Sequence, residues 1–125
     1  MKILQVIDFS GWAIGALANQ IKWGLLHHDI RILEIHPKEL RRNPEDYRAI
    51  FRETVKNFNP DIIHFHYWDL YNWLRDECAK FPEIKKVLTH HNQKDLLNGD
   101  WSGLEAITCH TEKSKKILET KYLWI

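Results

Sequence analysis

Cysteine is scarce in this sequence: Cys78 and Cys109 are the only two among 125 residues, and they lie far apart. That excludes a small scaffold stapled by disulfides and is expected instead of reduced, buried thiols in a cytosolic protein. Neither sign of charge dominates. Lys and Arg together number 18 and Asp and Glu 17, for a net charge of +1, so the basic excess of a nucleic-acid binder is missing and no nucleic-acid partner is expected. Long apolar runs are lacking too. Nothing approaches a membrane span, the N-terminus has no signal-peptide pattern, and a soluble, cytoplasmic protein is expected. Low-complexity segments are missing, and so are two familiar glycine signatures, G-x-G-x-x-G and G-x-x-x-x-G-K. What is abundant is tryptophan, with six residues. Some of these large amphipathic rings must be only partly buried, and such rings often meet ligands or partners. The length suits one small domain, residues 1–125, with a real core.

The most informative stretch is the first fifteen residues. Lys2-Ile3-Leu4-Gln5-Val6-Ile7-Asp8 is an apolar, β-branched run of strand length. Phe9 to Gly15 interrupts it, and Ile14, Leu17, Ala18, Ile21 and Leu25 then recur at helical spacing. Strand, small-residue turn and helix open a βαβ unit. Gly11 and Gly15 allow backbone to approach a ligand closely, and the N–H groups of a helix start suit a phosphate, a carboxylate or a sugar hydroxyl. The plain alternative is a tight turn in which glycine only permits the geometry.

Further along, a helix is predicted from about Trp12 to His27, closed by His27-His28-Asp29. Ile30 to Ile35 alternates as an outer strand would. Pro37 ends it, and Lys38 to Arg42 reads as a short basic loop: solvated surface, or a peripheral contact for anionic lipid head groups. Asn43-Pro44-Glu45-Asp46 is a helix start, with Asn as N-cap and Pro at the first position. Tyr47, Ile50, Phe51, Val55 and Phe58 form its inward stripe. Asn59-Pro60-Asp61 is a turn, and Ile62 to His66 a short strand whose continuous apolarity fits a parallel sheet. A third helix follows Tyr67-Trp68-Asp69, with Leu70, Trp73 or Leu74, Cys78 and Phe81 inward. Ile84 to Thr89 and Leu104 to Cys109 read as the fourth and fifth strands. Thr111 caps a last helix, and a sixth strand begins at Tyr122.

Strands alternating with helices predict an α/β fold: a doubly wound parallel sheet of five to six strands flanked by helices, with right-handed crossovers. Ligands of such sheets sit at the carboxyl ends of the strands. Ser10 to Gly15, His66 to Asp69, His90 to Asn92, and His110 to Glu112 all follow strands, so four segments bring polar residues to one edge.

These segments carry a resemblance. Pro60-Asp61-Ile62-Ile63-His64-Phe65-His66 resembles a P-D-x-x-H-x-H motif, and Val87 to Asn92 resembles V-x-T-x-H-D with Asn92 in place of the aspartate. Ala106 to Ser114 resembles a-x-x-x-x-S-e-x-S with Thr111 for the first serine. Lys2 to Val6 with its glycines resembles the matching opening strand and loop. Leu25 to Ile32 is similar to the g-h-e-v stretch before strand two, without its glycine. In this order they resemble the N-terminal, Rossmann-like half of retaining, nucleotide-sugar-dependent glycosyltransferases of the GT-B fold, family-4 type.

The resemblance implies a catalytic His91 against the donor sugar, and substrate binding by Ser10, Gly11, Trp12, Gly15, His66, Trp68, Asn92 and Glu112. His66, Trp68 and Trp12 would line the acceptor pocket. It implies no metal and no cofactor beyond the nucleotide-sugar co-substrate. The acceptor would be a sugar, glycolipid or polysaccharide. Partnership with a C-terminal donor-binding domain or chain is also implied, because the family's E-x7-E element is missing here. The chain alone is therefore expected to transfer no sugar, whether it is a fragment or half of a split enzyme.

Three other readings are open. A zinc hydrolase could draw on His64, His66, His90 and His91, since imidazoles favour zinc. On a strand, though, His64 and His66 share a side while His90 and His91 do not. A phospho-receiver domain needs paired acids after strand one and an aspartate ending strand three, where Asp8 stands alone and His66 takes the second place. A non-catalytic binding module is the third.

Overall fold

The computed structural model describes residues 1–8, 28–90 and 102–109. Within them, five strands form one all-parallel sheet: β1 (Lys2–Ile7), β2 (Asp29–Glu34), β3 (Ile62–Phe65), β4 (Lys85–His90) and β5 (Ala106–Cys109), in the order β2-β1-β3-β4-β5. Three helices accompany them: α1 (Pro37–Arg42), α2 (Pro44–Phe58) and α3 (Trp68–Cys78). The expected α/β class and parallel sheet are present. The helix predicted from Trp12 to His27, the last helix after Thr111 and the strand from Tyr122 lie outside the described residues. Among the described residues no helix is long and apolar enough to cross a membrane.

Strand alternation divides the sheet into two unlike faces. Leu4 and Val6 of β1, Ile63 and Phe65 of β3, Leu88 of β4 and Ile107 of β5 point one way, where they join Leu40, Phe51, Val55, Phe58, Leu70, Tyr71 and Leu74 in a single apolar cluster. Phe65 sits at its centre, with ring centroids 6.2 Å from Phe51 and 5.3 Å from Tyr71. The opposite face carries Gln5, His64, His66 and Thr89. Registers fix this: Gln5 lies opposite His64, and Thr89 opposite Thr108.

Several local expectations need correction. Lys38 to Arg42 is not a loop but part of α1, capped by the His36 side chain, which accepts from the Lys38 N–H at 3.2 Å. Pro37 at its first position begins a helix there as well as ending a strand. Asp29 opens β2 rather than closing a helix. Ile50 is 46% exposed, because it lies about a quarter turn from the centre of the Phe51, Val55 and Phe58 stripe. Leu74, not Trp73, is the fully buried member of α3, and Tyr71 is buried beside it. Asn43 flanks α2 without a side-chain cap bond, while Pro44, Glu45 and Asp46 occupy the first turn as expected. At the other end Asn59 takes the left-handed conformation (φ 52°) and its N–H donates to the Val55 carbonyl, a common way to stop a helix.

Candidate functional site

In this sheet the chain leaves β1 toward β2 on one side and later returns to place β3 on the other. The strand order therefore reverses at the carboxyl ends of β1 and β3, the place where parallel α/β sheets most often hold a ligand. Asp8 ends β1 there and is 4% exposed. His66 follows β3, its N–H donating to the Val6 carbonyl at 3.1 Å, so the two strands stay paired up to the edge. Tyr67 is extended and Trp68 opens α3. The ring of Trp68 is half buried against the apolar cluster. From β2 the chain enters α1 at the same edge, and Arg41 of α1 faces Asp69 of α3 at 3.7 Å. The stretch read as a basic loop thus stands beside Trp68 as a helical flank.

Below this edge the second face of the sheet carries a ribbon of polar side chains. Gln5 Oε1 is 2.8 Å from His66 Nε2, and both residues are fully buried. His64 stacks on His66 with ring centroids 4.2 Å apart, and its Nε2 is 2.6 Å from Thr89 Oγ1. Thr89 Oγ1 is in turn 2.7 Å from Thr108 Oγ1. Amide, two imidazoles and two hydroxyls thereby link β1, β3, β4 and β5. Buried polar groups joined in this way fix ring orientation strongly, because any member removed leaves another unsatisfied.

Of the residues singled out from sequence, His66 and Trp68 are brought to the β1–β3 edge. Ser10, Gly11, Trp12, Gly15, His91, Asn92 and Glu112 lie outside the described residues. His64 and His66 do share one side, as the alternation implies. Each has an Nε2 engaged, by Thr89 and Gln5 respectively, and among the described residues no group of three or more His, Cys, Asp or Glu side chains could hold a metal ion. Sequence reasoning passed over Gln5 and Thr108 as site residues, and weighed Asp8 only for the phospho-receiver reading. The available signal was Gln5 itself, a polar residue in the middle of an otherwise apolar strand that proves to be central.

No family model matches this chain, and neither curated proteins nor solved structures give a match.

Proposed function

We propose that the chain is the acceptor-side, doubly wound domain of a retaining glycosyltransferase of the GT-B type. A sugar would pass from a nucleotide-sugar donor to an acceptor hydroxyl, whose oxygen bonds the anomeric carbon as the diphosphate leaves. The observation that carries the reading is the β1–β3 edge, where the strand order reverses. The P-D-x-x-H-x-H motif ends there, with the buried Asp8 and His66 and the half-buried Trp68 on a parallel edge flanked by Arg41.

In this reading Trp68 offers an aromatic edge to an acceptor sugar. His66, having no exposed surface, positions its neighbours through Gln5 and His64 rather than touching substrate. Gly11 to Gly15 would approach the donor phosphate and His91 the donor sugar, both by resemblance. Preorganised donors at strand ends are what such a transfer needs, since charge develops on the departing diphosphate. The nucleotide would be gripped by a second Rossmann-like domain, in a continuation of the chain or in a partner chain. The zinc-hydrolase reading loses ground to the engaged Nε2 atoms of His64 and His66. The phospho-receiver reading shares the strand order, yet β3 still leads into His66 where it needs a carboxylate.

Titrating this chain with UDP- and GDP-sugars by calorimetry, and with free disaccharides by saturation-transfer NMR, tests the proposal. Nucleotide sugars should bind weakly or undetectably. Disaccharides should bind with Kd on the order of millimolar and lose contact in Trp68→Ala. Micromolar binding of a nucleotide sugar by this chain overturns the division of labour, and disaccharide contacts away from the β1–β3 edge overturn the acceptor site.

A further inference from the structure

The amino ends of β4 and β5 lie at the opposite edge of the sheet. There a cavity of about 300 Å³ opens between α3 and the sheet, lined by Tyr71, Arg75, Cys78, Ile84, Lys86 and Glu105 among others. Its size falls at the small end of the range for small-molecule sites.

The unusual member is Lys86. Two lysines in succession, Lys85 and Lys86, occupy a strand with neighbours on both sides, so alternation must turn one of them inward. Register places Lys86 opposite Ile63, on the helix-covered face, and it is only 7% exposed. Its Nζ donates to the Phe81 carbonyl, and among the described residues no carboxylate stands within ion-pair distance of it. Buried lysines are ordinarily paired, and an ammonium carries three N–H donors. One is used by Phe81.

Other side chains complete the described lining. Arg75 lies with its guanidinium 5.1 Å from the Tyr71 ring centroid. Burial pushes the Cys78 thiol up to about 12, so it contributes no negative charge near neutral pH. Glu105 is the one carboxylate among the described lining residues, and its backbone N–H donates to the Lys86 carbonyl at 2.8 Å. Its side chain is nevertheless not paired with Lys86. The rim is fixed: Tyr71 Oη donates to the Ser102 carbonyl, and Gly103 sits at φ 86° against the same hydroxyl.

We propose that this cavity binds a small organic anion. Its carboxylate or phosphate head would be taken by Lys86, and its compact apolar body would rest on Tyr71 and Ile84. The site is at the edge remote from Asp8 and His66, so it stands or falls independently of the glycosyltransferase reading.

Amide NMR titrations with benzoate, phenyl phosphate and inorganic phosphate test it. Benzoate or phenyl phosphate should saturably shift the amides of Tyr71, Cys78 and Gly103 and leave His66 in place. Inorganic phosphate binding as tightly as phenyl phosphate would still support the site, with the head alone recognised. Lys86→Met, which keeps the length of the side chain and removes its charge, should raise Kd about tenfold or more. Glu105→Gln should tighten binding by removing a competing carboxylate. If Lys86→Met fails to fold, Lys86→Gln must weaken binding in its place. No shift of the cavity amides by roughly 10 mM of all three probes, or equal affinity in the folded lysine variant, overturns the proposal.

Discussion

Gly103 and Cys78 show how strongly single positions are set by what surrounds them. Gly103 has φ 86°, and a Cβ there would come within 2.7 Å of Tyr71 Oη. Gly103→Ala therefore meets both backbone strain and a clash. It should destabilise by about 1–3 kcal/mol in urea unfolding. Tyr71→Phe in the same background should recover part of the loss by removing the clashing hydroxyl. Cys78 has the reverse character: its buried thiol, pushed up to about 12, is scarcely ionised at pH 8. Alkylation at Cys78, mapped by peptide mass, should be roughly a thousandfold slower in the native protein than in urea, following the thiolate fraction. Comparable rates would mean that α3 does not bury it. Both cysteines were read as unpaired thiols from their spacing alone. Gly103 gave no such warning, because its constraint comes from a tyrosine hydroxyl on a distant helix.

At the scale of the elements, α2 and α3 are tied by Arg52 and Glu77. Arg52 Nε and an Nη donate to the two Glu77 carboxylate oxygens, each at 3.0 Å, and Lys80 adds a bond at 3.2 Å. The Arg52 hydrogen bond holds the Glu77 carboxyl below its usual value, against the opposing effect of burial. A depressed carboxyl stabilises the fold above its unfolded pKa, and that contribution is lost as pH falls through the folded value. The urea midpoint of the wild type should accordingly fall as pH drops below about 4, and Glu77→Gln should start lower at pH 7 and show a shallower fall. Parallel curves would remove the pair from the stability of the helix packing. The polar ribbon makes a second prediction. Thr89→Val keeps the shape but strips the hydroxyl that joins His64 to Thr108, and should destabilise by about 1–3 kcal/mol. Of the two helices, α2 was legible in advance from Pro44 with its acidic first turn and from the Phe51, Val55, Phe58 stripe. Glu77 was not, since a carboxylate on an apolar face becomes intelligible only when Arg52 is seen across from it.

On the scale of the whole molecule, sequence order and spatial order part company. Alternating strands and helices implied a parallel sheet, and the apolar run of β3 implied its burial. Neither told that β1 would be flanked by β2 and β3, which is what brings Asp8 and His66 to one edge. That arrangement depends on crossovers whose ends meet only in space. It also ranks the strands by exposure. β1, β3 and β4 each have a described strand on both sides, whereas β2 and β5 each pair with one. Leu4, Val6, Ile63, Phe65 and Leu88 have no exposed surface, while β2 keeps only Ile30 buried. Local opening should therefore begin at β2 and leave the inner strands for global unfolding. In native-state hydrogen exchange the amides of Leu4, Val6, Ile63 and Phe65 should be the slowest, and those of β2 should exchange by smaller openings. Leu88→Ala, which empties the middle of the core, should cost about 2–5 kcal/mol and speed exchange at the inner strands by the full loss of stability. Exchange in β2 should be changed much less. If β2 amides proved as slow as those of β1, the sheet would open as one unit and the β1–β3 edge could not be treated as a rigid platform with a softer flank.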